Sequence, residues 1–161
     1  MPILRRLKAL LDEARVSYEV YNHPLAYTAQ EIAAQQHFSG KEMAKVVVLE
    51  VDGRPVMGVI PGSQRINLNT AKASLGAKAV KLATEAEFIS HFPECEIGAM
   101  PPFGNLFGLP VVVDPVLEKD EHIYFNAGNH VQTVRLKYSD FAQLVKPEIA
   151  RLIEERKRRA A

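Results

Sequence analysis

A single cysteine, Cys95, in 161 residues leaves the chain without the material for an intramolecular disulfide framework. That scarcity suits a reducing cytosol. Net charge is nearly absent too, at +1, so the protein as a whole is no polycation. Any nucleic-acid contact must come from a local patch. No uninterrupted apolar run approaches the roughly 20 residues of a spanning helix. Met1 to Leu11 carries Arg5, Arg6 and Lys8 and lacks the apolar core and small-residue cleavage site of a secretory signal. The expectation is a soluble, unexported, cytoplasmic protein with no membrane partner.

Most recognisable catalytic and cofactor motifs are also missing. There is no Gly-x-x-x-x-Gly-Lys-Ser/Thr loop, no Gly-x-Gly-x-x-Gly and no Gly-x-Ser-x-Gly elbow. The five histidines, at 23, 37, 91, 122 and 130, never fall at His-x-x-x-His spacing. With one cysteine besides, neither a metal site nor a cofactor is predicted. Cys95 and His91 do not make a nucleophile pair: Pro93 between them breaks the helical spacing that would align them, and Cys95 reads as a packing residue.

What is present is an ordinary globular balance, 47% hydrophobic and 24% charged, at a length that fits one domain over residues 1–161. Ile3, Leu4, Leu7, Leu10, Leu11 and Ala14 make one helical stripe, followed by a β-prone stretch, Val16 to Tyr21. Thr28 and Glu31 form a capping box for a helix running through Gln36. Lys45 to Val51 and Val56 to Ile60 flank Asp52-Gly53 and predict a hairpin. Asn67 or Asn69 caps a short helix stopping at Gly76, Ala79 to Ala83 is a strand, and Thr84 with Glu87 starts a helix ending before Pro93. Residues 94–108, with three glycines and two prolines, form a long specific loop. Strands follow at Val111 to Val113, His122 to Asn126 and Thr133 to Leu136, and helix from Ser139 to the basic tail Arg156 to Arg159. Interspersed elements with a hairpin predict an α/β (α+β) domain: a mixed, mostly antiparallel or barrel-like sheet flanked by helices, rather than a doubly wound parallel sheet.

Four pieces of sequence, read together, resemble the YbaK and prolyl-tRNA-synthetase insertion-domain (ProX-like) family of aminoacyl-tRNA deacylases. They are Tyr21-Asn22-His23-Pro24 with Thr28; Lys45 leading into Val46-Val47-Val48-Leu49; Gly98-Ala99-Met100-Pro101-Pro102, a Gly-x-x-x-Pro loop; and Phe125 to His130, a strand ending in Gly-x-His. Each is weak alone, and their shared order and spacing carry the match. The resemblance implies a free-standing trans-editing hydrolase that removes a small amino acid from the 3′ end of mischarged aminoacyl-tRNA, with a synthetase as a possible further partner and no DNA.

Under that resemblance Lys45 anchors a phosphate or the ester carbonyl, or neutralises the developing oxyanion; the plainer reading is a lysine snorkelling at a strand edge. The N–H groups of Gly98, Ala99 and Met100 are candidate carbonyl donors, with Pro101, Pro102 and Phe103 stiffening and narrowing the pocket by size. Gly and Pro equally mark an ordinary surface turn. Gly128 and His130 are candidate substrate contacts, His130 being as readily a structural histidine, and His23 lines the pocket at best. Arg5, Arg6, Lys8 and Arg156 to Arg159 could touch phosphates or simply form solvated faces. One departure stands out. The alanine-specific branch of the family has asparagine after the lysine, and here that position is Val46, a further candidate substrate contact. Val46 therefore leaves the amino-acid preference open and keeps a second class of function in play, a non-catalytic module that binds aminoacyl-tRNA ends or a related small ligand.

Overall fold

A computed structural model describes residues 3–24 and 43–154. The Thr28–Glu31 cap and its helix, and the tail from Arg156 to Arg159, lie outside the described residues.

The first helix, α1 (Arg5–Glu13), buries Leu7 and Leu11. Leu4 just ahead of it is buried too, and its N–H donates to the Ala127 carbonyl oxygen at 3.0 Å. Strand β1 is Tyr18–Asn22. Strands β2 (Ala44–Val51) and β3 (Arg54–Pro61) form the predicted hairpin, in register from Ala44↔Pro61 to Val51↔Arg54. Asp52 and Gly53 have φ of 50° and 83°, as a type I′ turn requires at both central positions.

Helix α2 (Leu68–Leu75) is capped by Asn67, whose side chain accepts from the Thr70 N–H at 2.9 Å, and it ends on left-handed Gly76. Then come β4 (Val80–Leu82), α3 (Glu85–Phe88) under the Thr84–Glu87 capping box, and the loop to β5 (Val111–Val113). Strands β6 (His122–Asn126) and β7 (Gln132–Lys137), α4 (Tyr138–Val145) and β8 (Glu148–Ile149) complete the order.

The strands make two open sheets and close no barrel among the described residues: a three-stranded antiparallel sheet, β1-β7-β6, and a five-stranded mixed sheet, β4-β2-β3-β5-β8. β3–β5 and β5–β8 are the parallel pairs. One core cluster, containing Leu7, Val48, Val59, Phe103, Phe125 and Phe141, lies between the sheets and α1; a second, smaller one around Leu49, Ile60, Ala71 and Leu152 lies under α2 on the other side of β2 and β3.

The expected helix to the C-terminus is cut short. Lys146 turns left-handed (φ 52°) ahead of Pro147, which cannot continue a helix, and the chain becomes β8. Buried Asp114 then pins the last described turn: its Oδ2 accepts from the Leu152 N–H at 2.8 Å and the Ile153 N–H at 3.1 Å.

Candidate active site

Three of the four sequence pieces, those of His23, Gly98 and His130, meet around the β6–β7 connection, and the strand that carries Lys45 starts beside β6. An isolated parallel bridge, Met43↔Tyr124, sets the start of β2 alongside β6. From Asn126 the chain runs into Ala127 and Gly128, which zip onto the Gly-x-x-x-Pro loop. The Glu96 N–H donates to the Gly128 carbonyl at 2.9 Å and the Gly128 N–H to the Ala99 carbonyl at 3.0 Å. His130 closes the same junction. Its ring Nε2 lies 2.8 Å from the Ile97 carbonyl oxygen and must carry the proton to donate there, and its backbone N–H donates to the Glu96 carboxylate at 3.2 Å.

His23 joins from β1. Its N–H donates to the Val131 carbonyl at 2.9 Å, and its ring nitrogens sit 3.0 Å from Thr133 Oγ1 and 2.8 Å from the Pro24 carbonyl. Buried and fully engaged, it orders the β1–β7 edge. Thr133 pairs in register with Asn126, whose buried side-chain Oδ1 has no hydrogen-bond partner among the described residues. Sequence reasoning quoted Asn126 inside a motif and gave it no role. A polar residue closing a strand just before Ala-Gly was the available signal.

Lys45 is half-buried. Strand alternation puts it on the face shared with Met43 and Val47, and its Nζ donates to the Gln64 carbonyl oxygen at 2.8 Å. Burial first, and then the positive charge of Arg65, push the Lys45 pKa below its ordinary value. Arg65 itself is exposed and lies in an open pocket of about 380 Å³ lined by Ser63, Gln64, Ile66, Asn67 and Glu154 as well. The sequence reading passed over this turn, although Pro61-Gly62-Ser63 after a strand marks it.

Several expected pocket residues have other work. Val46 points away from Lys45 and packs against the larger core cluster. Phe103 is fully buried, with ring centroids 5.4 Å from Phe125 and 5.5 Å from Phe141, so it is a core residue and cannot narrow a pocket. Met100 is likewise buried in that cluster, on the face opposite Lys45, and Pro101 and Pro102 are buried beside it in sequence. The Ala99 N–H is spent on the Glu96 carbonyl at 3.0 Å and is not a free donor. The N–H groups of Gly98 and Met100 make no hydrogen bond among the described residues. Gly98 is exposed and left-handed at φ 82°, and a Cβ there would stand 3.6 Å from His130 Cε1.

Arg6 is likewise engaged: it lies 5.1 Å over the Phe107 ring, bonds the Leu106 carbonyl and pairs with Glu94 at 3.5 Å, tying α1 to the loop. Lys8 pairs with Asp12 at 2.7 Å. Burial pushes the Cys95 thiol up to about 11, the mark of an inert packing cysteine. Among the described residues, no three His, Cys, Asp or Glu side chains converge as metal ligands would, and no helix is long and apolar enough to cross a membrane.

The profile of the aminoacyl-tRNA editing domain matches residues 23–144, from His23 through both sheets into α4. The chain belongs to that family. Among curated relatives of this editing family, the multifunctional Ser/Thr-tRNA deacylase ProXp-y of Escherichia coli K12 is 29% identical over 150 residues, covering 90% of this chain and 89% of that protein. A proline–tRNA ligase of Bacillus mycoides is 27% identical over 103 residues, covering 64% of this chain and only 18% of the ligase. The fold recurs in the crystal structure of a candidate trans-editing enzyme for prolyl tRNA synthetase, with a TM-score of 0.80, 22% identity and coverage of 94% and 96% of the two chains. It recurs also in that of a hypothetical protein, with a TM-score of 0.83 and 21% identity over 93% of this chain and 100% of the other.

Proposed function

We propose that residues 1–161 act as one free-standing, cytoplasmic trans-editing domain that hydrolyses the ester of mischarged aminoacyl-tRNA carrying a small amino acid. The observation that carries this reading is the near end-to-end match to a Ser/Thr-tRNA deacylase, set beside a match that takes in only a fifth or so of a synthetase. An aminoacyl ester is already activated, so the site needs to orient the ester and water and stabilise an oxyanion rather than supply a triad.

In this reading Lys45 provides the positive charge, at a place where burial keeps water from screening it. The Gly98 and Met100 N–H groups are the candidate oxyanion donors. His130 acts through Ile97 and Glu96 to hold that loop, which makes it a positioning residue. Substrate binding uncovers the enclosed Oδ1 of Asn126, which has no partner among the described residues, to accept from the α-ammonium group. A synthetase that generates the mischarged tRNA is the natural partner.

The test is release of amino acid from a panel of tRNAs charged with alanine, serine, cysteine, threonine, proline or phenylalanine. The proposal expects turnover of the small residues and sparing of phenylalanine. Tight binding of the charged 3′ end with no turnover of any ester would instead favour a binding module.

A further inference from the structure

We propose that Arg65 is a substrate-binding residue of this site, its guanidinium holding a backbone phosphate of the nucleic acid in the pocket that opens beside Lys45. The proposal rests on the deacylase reading and adds to it a recognition element for the polynucleotide, distinct from the elements that act on the ester.

Three observations place an anion there. First, the Nζ of Lys45 is tethered to the Gln64 carbonyl, which places that cation at the residue before Arg65, and neither cation has a carboxylate within 4.0 Å among the described residues. Like charges close enough to repel and without a carboxylate partner favour an anion beside them. Second, the N–H groups of Ser63, Arg65 and Ile66 make no hydrogen bond among the described residues, so the turn offers backbone donors as well. Third, the pocket is open and Arg65 is exposed, which suits a phosphate on a chain that stays largely in solvent and is unlike a closed small-molecule cavity. A guanidinium can grip a phosphate with two parallel N–H donors, which an ammonium cannot. The charge of Arg65 also makes Lys45 harder to protonate, an effect that a bound phosphate would offset.

Glu154 lines the same pocket and opposes an anion. Its carboxylate supplies a control of opposite sign.

Arg65→Gln is compared with the unmodified protein on two substrates bearing the same small amino acid: aminoacyl-tRNA, and the 3′-aminoacyl ester of adenosine, which has no phosphate. On tRNA, kcat/KM should fall about tenfold, mainly through KM, with the slope against salt reduced by about one. On the nucleoside ester it should change far less, since only the effect of the Arg65 charge on Lys45 is then removed. Arg65→Lys should recover part of the loss, and Glu154→Gln should raise kcat/KM on tRNA. Equal losses on both substrates, or no loss on tRNA, overturn the proposal while leaving the deacylase reading intact. If the unmodified protein hydrolyses neither ester, that reading fails. The phosphate site is then decided by binding of a CCA trinucleotide, where equal affinities of the unmodified and Arg65→Gln proteins would overturn it.

Discussion

His130 and Ile97 are 33 positions apart in sequence and are joined by a hydrogen bond from the imidazole Nε2–H to the main-chain carbonyl oxygen, at 2.8 Å. The bond fixes the peptide immediately ahead of Gly98. Removing it takes away a part-buried hydrogen bond, at a cost of about 1 kcal/mol. His130→Ala should therefore lower stability by that order and reduce kcat more than it raises KM, because the loop donors lose their position rather than the substrate its contacts. His130→Gln, which keeps a donor of similar reach, should recover part of kcat. Denaturant unfolding and steady-state deacylation measure both. A folded His130→Ala protein with normal kcat would remove this histidine from the account.

Phe103 has no path to the substrate. Its ring is enclosed by Phe125 and Phe141, so Phe103→Ala should cost about 3–5 kcal/mol of stability. It should leave amino-acid preference unchanged at temperatures where the variant is folded. Broadened hydrolysis of large aminoacyl-tRNAs by a stably folded variant would return Phe103 to the pocket wall.

Asn126 should show the opposite pattern. Its buried Oδ1 lacks a partner among the described residues, and an unpaired acceptor is a burden to the free protein. Asn126→Leu should be neutral to stability or raise it, by up to about 1 kcal/mol, while lowering kcat/KM for deacylation. Thermal unfolding and kinetics on one preparation test the pairing; a stability loss with unchanged activity would make Asn126 a structural residue.

The lowered pKa of Lys45 predicts the alkaline side of the pH profile. Lysine is charged below its pKa, so the active cation is lost as pH rises through a value beneath the ordinary 10.5. In the window between the folded and unfolded pKa the unfolded chain binds more protons. Stability from this group therefore rises with pH there while activity falls. Rates corrected for spontaneous ester hydrolysis should decline earlier than an ordinary lysine allows, and Lys45→Arg should remove that decline. A profile unchanged by Lys45→Arg would contradict the assignment.

The elements with local signatures were legible in the sequence. Asp52-Gly53, Asn67 with Gly76, and Thr84 with Glu87 each form the turn or cap that their chemistry predicts. The C-terminal helix was overextended because apolar spacing continues past Val145, while the buried contacts of Asp114 with Leu152 and Ile153 reach across 38 and 39 positions and leave no local trace. The site divides in the same way. Motif order names Lys45, Gly98 and His130, which stay proposed site residues. Which side Val46 and Phe103 face depends on strand alternation and on the partner sheet, and the spent Ala99 N–H depends on how the loop folds back on Glu96. Arg65 escaped notice because a lone arginine in a turn looks like any solvated charge until a strand lysine is found tied to the residue before it.

The central claim, that Lys45 serves ester hydrolysis on charged tRNA, is tested most directly by single-turnover deacylation of seryl-tRNA with the unmodified protein and with Lys45→Ala, both shown to be folded by their unfolding transitions. The account predicts hydrolysis well above the spontaneous rate for the unmodified protein and a loss of at least about a hundredfold in the variant, a range set by removal of one electrostatic stabiliser. Equal rates for the two folded proteins would contradict it.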